Sequence, residues 1–289
     1  MVESSLNRSL TSLRIRKALS NPVFALQNLK FNWVRKTSTA NHIFVVGPPR
    51  SGTTLMVSML KAHSHLAGID GETCFFFRRN FTDIKYPEID DQTMKKLIAS
   101  ATDMVDLFDM IASEVVTAQN ASRFVEKTPE HALRLNFLLE RFPKAKIVFM
   151  IRDGRDGYLS ALRNPKVKVN TVSLYGEIWK LSVRAYLKAT QQERVKVIRY
   201  EELCSNPEIV MTEVMSFLDE SLQITQLASN SYSKTKMRSV IGHQRLNEKI
   251  SNQTVGQWRE KMSNQDVEIF NTIAGEELQK WATHWFKHR

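Results

Sequence analysis

The sequence is poor in cysteine and has no long apolar stretch. Its two cysteines, Cys74 and Cys204, lie far apart in a chain of 289 residues. This count excludes a disulfide framework and a cysteine-rich zinc site. Charged residues interrupt every apolar stretch before it reaches the roughly 18 residues that a membrane-spanning helix requires. With 42% hydrophobic and 25% charged residues, the composition is that of a globular enzyme with a full hydrophobic core.

Acidic residues are scarce in residues 1–40, which hold seven basic residues and one acidic residue of a chain with net charge +11. The mild basic excess of residues 41–289 suits an anionic small molecule better than a nucleic acid. The first 40 residues also lack the apolar stretch of a secretory signal, and we expect a cytoplasmic protein. We interpret them as a basic extension whose apolar side chains cover the main domain. The alternatives are weak contact with an anionic membrane surface and an organelle transit peptide.

Strand-like apolar runs alternate with helical patterns from residue 42 to about 220. The predicted strands are 43–47, 123–127, 146–151 and 195–199. The predicted helices are 53–62, 91–119, one that begins near Pro129, 155–163, 174–192, 207–218 and 264–286. This alternation predicts an α/β domain whose central parallel sheet is flanked by helices. Ligands of such sheets bind at the carboxyl ends of the strands.

A turn-rich loop follows the first predicted strand, where residues 47–54 read GPPRSGTT. Gly47 and Gly52 have the glycine spacing of the GxxxxGK[ST] loop, whose backbone N–H groups hold phosphate oxygens. Thr53 replaces the lysine that reaches the outer phosphates of a nucleoside triphosphate, whereas Arg50 places a positive charge within the loop. The pattern predicts binding of one phosphate or phosphosulfate-like anion, not of a triphosphate with magnesium.

A second candidate anion site follows the strand 146–151. Arg152 lies just past the strand, and Ser160 lies about two helical turns further on. The guanidinium and the hydroxyl can therefore meet at one anion.

The segment PPRSGTTL, residues 48–55, resembles the 5′-phosphosulfate-binding loop of sulfotransferases that use 3′-phosphoadenosine 5′-phosphosulfate (PAPS). Its Arg-Ser-Gly-Thr-Thr form is most similar to protein-tyrosine sulfotransferases and related bacterial enzymes. The resemblance extends over about residues 42–285 and implies a P-loop-type three-layer domain in which Arg152 and Ser160 bind the 3′-phosphate. The cofactor-binding residues that it implies are Arg50, Ser51, Gly52, Thr53, Thr54, Leu55, Arg152, Ser160, Tyr200 and Lys249.

The same resemblance implies the catalytic groups. Glu72, in the segment IDGET, aligns with the glutamate base of protein-tyrosine sulfotransferases, although DGET departs from their Gly-Glu-Glu-Thr-like pattern. A base is needed because the acceptor hydroxyl or amine loses its proton as it attacks; Asp70 and Glu126 are the alternatives. Lys127 and Arg50 are expected to stabilise charge on the leaving phosphate.

These features together predict a sulfotransferase that moves a sulfuryl group in line from PAPS to a hydroxyl or amine. The acceptor is expected to be a small molecule, a carbohydrate or a peptide, and neither a metal nor a nucleic-acid partner is expected. One alternative is a P-loop kinase of a small metabolite, which needs the lysine that Thr53 replaces. Another is a non-enzymatic binder of anionic surfaces, whose positive charge should lie on one face.

Overall fold

The central feature of the computed structural model is a parallel sheet. The structure describes residues 28–78, 80–164, 169, 171–228 and 250–287. Within these residues the sheet has five strands in the order β2-β3-β1-β4-β5, and every pairing is parallel. The strands are β1 (Ile43–Val46), β2 (Leu66–Ala67), β3 (Arg123–Lys127), β4 (Lys146–Ile151) and β5 (Val195–Arg199). The four strands that the sequence predicts are confirmed, whereas β2 has only two residues, too few to form a readable pattern.

Helices cover both faces of this sheet. They are α1 (Thr53–Lys61), α2 (Asp91–Ser100), α3 (Met104–Ala118), α4 (Leu135–Arg141), α5 (Gly154–Leu162), α6 (Val172–Leu187), α7 (Tyr200–Ser205), α8 (Pro207–Phe217), α9 (Trp258–Lys261) and α10 (Asn264–Lys287). Short 3₁₀ helices lie at Phe75–Phe77, Pro129–Arg134, Gln192–Arg194, Ile224–Gln226 and Asn252–Thr254.

The side chains of β1 alternate between two hydrophobic clusters. Phe44 and Val46 join the cluster formed with α2 to α6 and α10. Ile43 and Val45 join the cluster formed with α1 and α8. Successive side chains of a strand point to opposite faces, so β1, which packs on an apolar cluster at each face, is apolar throughout. The predicted three-layer α/β architecture is therefore confirmed.

The predicted helix over 91–119 is wrong in one respect, because it is two helices. Asp103 caps α3 by accepting hydrogen bonds from the backbone N–H groups of Val105 (2.9 Å) and Asp106 (3.0 Å). An aspartate in this role favours a helix start, not a helix interior. The apolar spacing continues across the break because both helices pack on the same cluster.

Two other predicted helices differ at their ends. The turn that Pro129 begins is a 3₁₀ helix, and regular α-helix starts only at Leu135. The predicted helix over 174–192 ends at Leu187, in α6.

The described part of the predicted N-terminal extension packs on the domain. Phe31 is fully buried in the larger cluster, and the side chain of Asn28 accepts a hydrogen bond from the backbone of Phe81 (2.8 Å). Leu29 and Trp33 are exposed. Of the helices described, none combines the length and apolarity needed to cross a bilayer.

Candidate active site

The loop between β1 and α1 contains three residues with positive φ. They are Gly47 (146°), Arg50 (67°) and Gly52 (91°). A Cβ atom at Gly47 would overlap the carbonyl oxygen of Met150, and a Cβ at Gly52 would overlap the ring of Tyr200. Only glycine fits at these two positions. Gly52 caps α1 without any side-chain hydrogen bond, so the first-turn amides are open to an anion.

Arg50 joins the two anion motifs that the sequence indicates separately. Its Nε atom donates a hydrogen bond to Oγ of Ser160 (3.2 Å), across 110 residues of sequence. Burial lowers the pKa of Arg50, and the positive charges of Arg152 and Arg163 act in the same direction. The two cationic motifs therefore face one region at the carboxyl ends of β1 and β4.

Arg152 is held on several sides. It is almost fully buried, one Nη atom donates to the carbonyl oxygen of Thr254, and the guanidinium lies 4.5 Å from the ring centre of Tyr200. Nε of Arg152 is nevertheless buried without a hydrogen-bond partner, and so is Oγ of Ser51 in the loop after β1. Buried polar atoms in proteins are nearly always hydrogen-bonded, so one such atom in each motif fits an anionic ligand that contacts both.

Tyr200 connects this site to the C-terminal part of the chain. It follows β5 as the first residue of α7, and its hydroxyl lies 3.0 Å from Oγ1 of Thr254. Burial raises the pKa of Tyr200, which keeps the hydroxyl neutral and able to donate. Thr254 thus contacts both Arg152 and Tyr200.

Asp156 holds the segment 255–258 in place. Its carboxylate accepts hydrogen bonds from the backbone N–H groups of Gly256 (2.6 Å) and Trp258 (2.9 Å). The guanidinium of Arg155 lies 3.5 Å from the ring centre of Trp258. The segment 255–258 therefore lies against α5, next to the second anion motif.

A lysine–carboxylate pair lies beside the loop. Nζ of Lys127, at the end of β3, is 3.0 Å from Oε1 of Glu72. The Lys127 side chain is 3% exposed and that of Glu72 is 42% exposed. Lys127 pairs in register with Val45 of β1, which places the end of β3 beside the end of β1, where the loop begins at Gly47.

The two alternative bases are engaged elsewhere. Asp70 forms an ion pair with Lys61 (2.6 Å). Glu126 is buried and accepts hydrogen bonds from three side chains. Burial opposes its charge, but the hydrogen bonds from His131, Thr73 and Thr128 hold the pKa of Glu126 below its ordinary value. Of these three candidates, Glu72 has the accessible carboxylate.

The other predicted loop residues occupy the first turn of α1. Thr53 is buried, whereas Thr54 and Leu55 are half-buried. Lys249 lies outside the described residues, and its part in cofactor binding stays a prediction.

The motifs did not indicate Tyr175 or Glu130. Tyr175 is fully buried and donates from α6 to the carbonyl oxygen of Pro49 (2.6 Å), which fixes the loop between β1 and α1. Burial raises the pKa of Glu130, and the charge of Glu72 adds to the effect. No motif or fixed spacing in the sequence marks either residue, because only the fold brings each one to the site.

Among the described residues, His63, His65 and Glu220 bring potential metal-ligating atoms within 4.8 Å of one another. Nε2 of His63 lies 3.1 Å from the carbonyl oxygen of Ser221, and Nδ1 accepts from the backbone N–H of His65 (3.1 Å). Both ring nitrogens of His63 thus take part in hydrogen bonds to the backbone. We therefore interpret these three residues as part of a hydrogen-bonded loop.

Comparison with known proteins gives a matching family model and several similar relatives. A family model described as the sulfotransferase family matches residues 42–223. A protein-tyrosine sulfotransferase of Drosophila melanogaster is 27% identical over 189 residues, which cover 61% of this chain and 38% of that protein. Protein-tyrosine sulfotransferase 1 of Danio rerio is 28% identical over 187 residues, or 61% and 52% of the two chains. The matched region thus spans between about a third and a half of these relatives.

Solved structures share the fold. The sulfotransferase domain of the Synechococcus PCC 7002 olefin synthase superposes with a TM-score of 0.60 at 18% identity, covering 83% of this chain and 98% of that domain. A mouse sulfotransferase complexed with PAP gives a TM-score of 0.51 at 15% identity, covering 84% and 86%.

Proposed function

Since the chain belongs to the sulfotransferase family, we propose that it transfers the sulfuryl group of PAPS to a hydroxyl or amine of an acceptor. The observation that carries the proposal is the hydrogen bond between Arg50 and Ser160. It brings the loop after β1 and the motif after β4 to one site, as a nucleotide with phosphate groups at both its 5′ and 3′ positions requires. PAPS supplies the sulfuryl group, and adenosine 3′,5′-bisphosphate is the product that remains.

The two motifs would bind different phosphate groups of the nucleotide. The first-turn amides of α1, with Arg50 and Ser51, would hold the 5′-phosphosulfate. Arg152 and Ser160 would hold the 3′-phosphate. The buried, unpartnered polar atoms of Ser51 and Arg152 support this assignment, since a charged hydrogen bond to each would remove its desolvation penalty.

Glu72 and Lys127 would act on the transfer itself. Glu72 would accept the proton that the acceptor loses, because its carboxylate is exposed and ends beside Lys127. The Lys127 ammonium has three N–H donors, so its bond to Glu72 leaves two for a leaving phosphate. Arg50 would share that stabilisation, as expected for a reaction that depends mainly on positioning and electrostatics.

The acceptor is proposed only by class, as a hydroxyl or amine on a small molecule, a carbohydrate or a peptide. The relatives named for protein tyrosine make a phenolic hydroxyl the first group to test.

Calorimetry with adenosine 3′,5′-bisphosphate tests the donor site directly. We expect binding without magnesium, and we expect Arg50→Ala and Arg152→Ala each to weaken it by about 1.5–3 kcal/mol, the range for a charged hydrogen bond. Arg141→Ala is the matched control, because Arg141 ends α4 ahead of the amino end of β4, whereas the site lies at the carboxyl ends of the strands. Failure of the wild-type protein to bind, or equal weakening by the control, would overturn the proposal. A screen of acceptors with labelled PAPS then identifies the substrate.

A further inference from the structure

Three consecutive backbone N–H groups shortly after Glu72 are each held by a side chain. They span the end of the loop after Glu72 and the first two residues of the 3₁₀ helix Phe75–Phe77. The donor–acceptor pairs are Cys74 N to Thr128 Oγ1 (3.0 Å), Phe75 N to Thr73 Oγ1 (3.2 Å) and Phe76 N to His131 Nε2 (3.2 Å).

One buried carboxylate orients all three accepting side chains. Glu126, fully buried on β3, is the common acceptor. It receives hydrogen bonds from Thr73 Oγ1 (2.6 Å), Thr128 Oγ1 (2.7 Å) and His131 Nδ1 (3.0 Å).

The direction of each bond follows from the chemistry of the groups. A threonine hydroxyl has one hydrogen. Because Thr73 and Thr128 give theirs to Glu126, their lone pairs are available to the loop amides. An amide N–H can only donate, so Nε2 of His131 must be unprotonated and Nδ1 must carry the proton that points to Glu126. A protonated Glu126 would lose part of this capacity to accept.

The held segment includes a strained residue and leads directly to the candidate base. Cys74 has a φ of 47°, which a residue with a Cβ adopts only when its surroundings impose it. Glu126 precedes Lys127 on β3, and Thr73 follows Glu72 in the loop. The carboxylate therefore links the strand that bears the lysine to the loop that bears the glutamate.

We propose that Glu126 and His131 are positioning residues, which fix the loop after Glu72 so that its carboxylate lies against Lys127. The inference rests on the proposed function, in which Glu72 is the base. In this proposal the buried Glu126–His131 pair contacts neither the donor nor the acceptor and acts only through the position of Glu72.

Carbodiimide cross-linking measures the predicted geometry without an acceptor. A carbodiimide joins a carboxylate and an amine that are in contact, and the Glu72–Lys127 pair is at 3.0 Å. We expect this cross-link in the wild-type protein and about a tenfold lower yield in Glu126→Gln and His131→Asn, since each variant loses charged hydrogen bonds. The ion pair of Lys61 and Asp70 (2.6 Å) gives an internal reference whose yield should not change.

Alkylation of Cys74 gives an independent readout of the loop. Cys74 is exposed and Cys204 is buried, so iodoacetamide distinguishes them. Burial raises the pKa of the Cys74 thiol, and the charge of Glu72 acts in the same direction. Release of the loop should therefore accelerate alkylation at Cys74 by about tenfold in both variants.

Asp109→Asn is the matched control for a general loss of stability. Asp109 pairs with His42 (2.8 Å), another carboxylate–histidine pair that packs on the same apolar cluster but makes no contact with the loop. We expect it to leave both readouts at the wild-type level. Unchanged cross-linking and alkylation in Glu126→Gln and His131→Asn, or equal changes in Asp109→Asn, would overturn the inference.

Nucleotide binding separates this inference from the proposed function. Both variants should bind adenosine 3′,5′-bisphosphate within about twofold of wild type, because the network contacts neither anion motif. Failure of the wild-type protein to bind would overturn the proposed function, whereas the cross-link and Cys74 results would still decide whether the network holds the loop.

Discussion

Replacement of Asp156 by asparagine should loosen the C-terminal segment that contacts the anion site. The two carboxylate oxygens of Asp156 accept from the backbone N–H groups of Gly256 and Trp258, and the side chain is 1% exposed. Asparagine keeps the shape and one accepting oxygen, but its NH₂ group then faces a backbone donor. One hydrogen bond is lost, the other is no longer charge-assisted, and one partly buried N–H is left unpaired.

The size of the effect follows from that single bond. Loss of a hydrogen bond to a charged group costs about 1.5–3 kcal/mol, and about 2 kcal/mol corresponds to roughly a 30-fold change in an equilibrium constant. Local opening of the segment 252–258 should therefore become about 30-fold more frequent. In the open state Thr254 no longer contacts Arg152 and Tyr200. Nucleotide affinity therefore falls to the extent that the open state is populated.

Hydrogen exchange with mass spectrometry is the direct assay, since it reports local opening. The peptide that contains 252–258 should lose protection in Asp156→Asn, while peptides from β1 and β4 keep theirs. Asp83→Asn makes the same chemical change at an exposed position and serves as the control. Unchanged protection of this peptide in Asp156→Asn would refute the argument that the carboxylate holds the segment.

Three further outcomes are expected. Gly52→Ala should lower the stability to urea by roughly 1–3 kcal/mol, because φ is 91° and the new Cβ would overlap Tyr200; an unchanged unfolding midpoint would contradict this. Glu72→Gln should reduce sulfuryl transfer from labelled PAPS by about 10²-fold or more and leave nucleotide affinity intact, because Lys127 remains; full activity would exclude Glu72 as the base. The pKa of Glu126 lies below its ordinary value in the folded protein, so its stabilisation is complete above about pH 4.5 and is lost as the pH falls through the folded-state pKa. Wild-type stability should therefore fall more steeply than that of Glu126→Gln as the pH drops below about 4.5, and parallel curves would contradict the assignment.

β1 and β4 were predictable because burial on both faces favours a nearly unbroken apolar run, and β3 and β5 because each keeps a shorter apolar segment beside its charged residues. β3, β4 and β5 have the predicted bounds. The break between α2 and α3 was not predicted, because the spacing of apolar residues does not show where an aspartate caps a helix. Asp103 is identified as a cap only by the amides that it accepts, and those depend on the backbone path.

The candidate site was predictable where its residues follow a strand directly. Arg50 and Arg152 come from the exits of adjacent strands, so parallel pairing alone brings them together. Their partners were not predictable. Ser160 bonds to Arg50 rather than to Arg152, a detail that depends on how α5 packs against the loop.

The network around Glu126 shows why such partners escape sequence analysis. Thr73 and Glu126 are separated by 53 residues, and no fixed spacing relates them. A buried glutamate on a strand appears in the sequence as an interruption of an apolar run. Only the fold shows the three donors whose hydrogen bonds offset the cost of burying the charge of Glu126.

The burial of Lys127 gives the pair with Glu72 a mechanistic consequence. An ammonium that is 3% exposed loses most of its hydration and needs an anionic partner. Glu72 is that partner in this structure. Under the proposed function, a phosphate held by the adjacent loop provides Lys127 with a second anion. Lys127 would then divide its N–H donors between the carboxylate of Glu72 and the leaving phosphate. One lysine would thus contact both the leaving group and the candidate base, which places the two ends of the transfer next to each other.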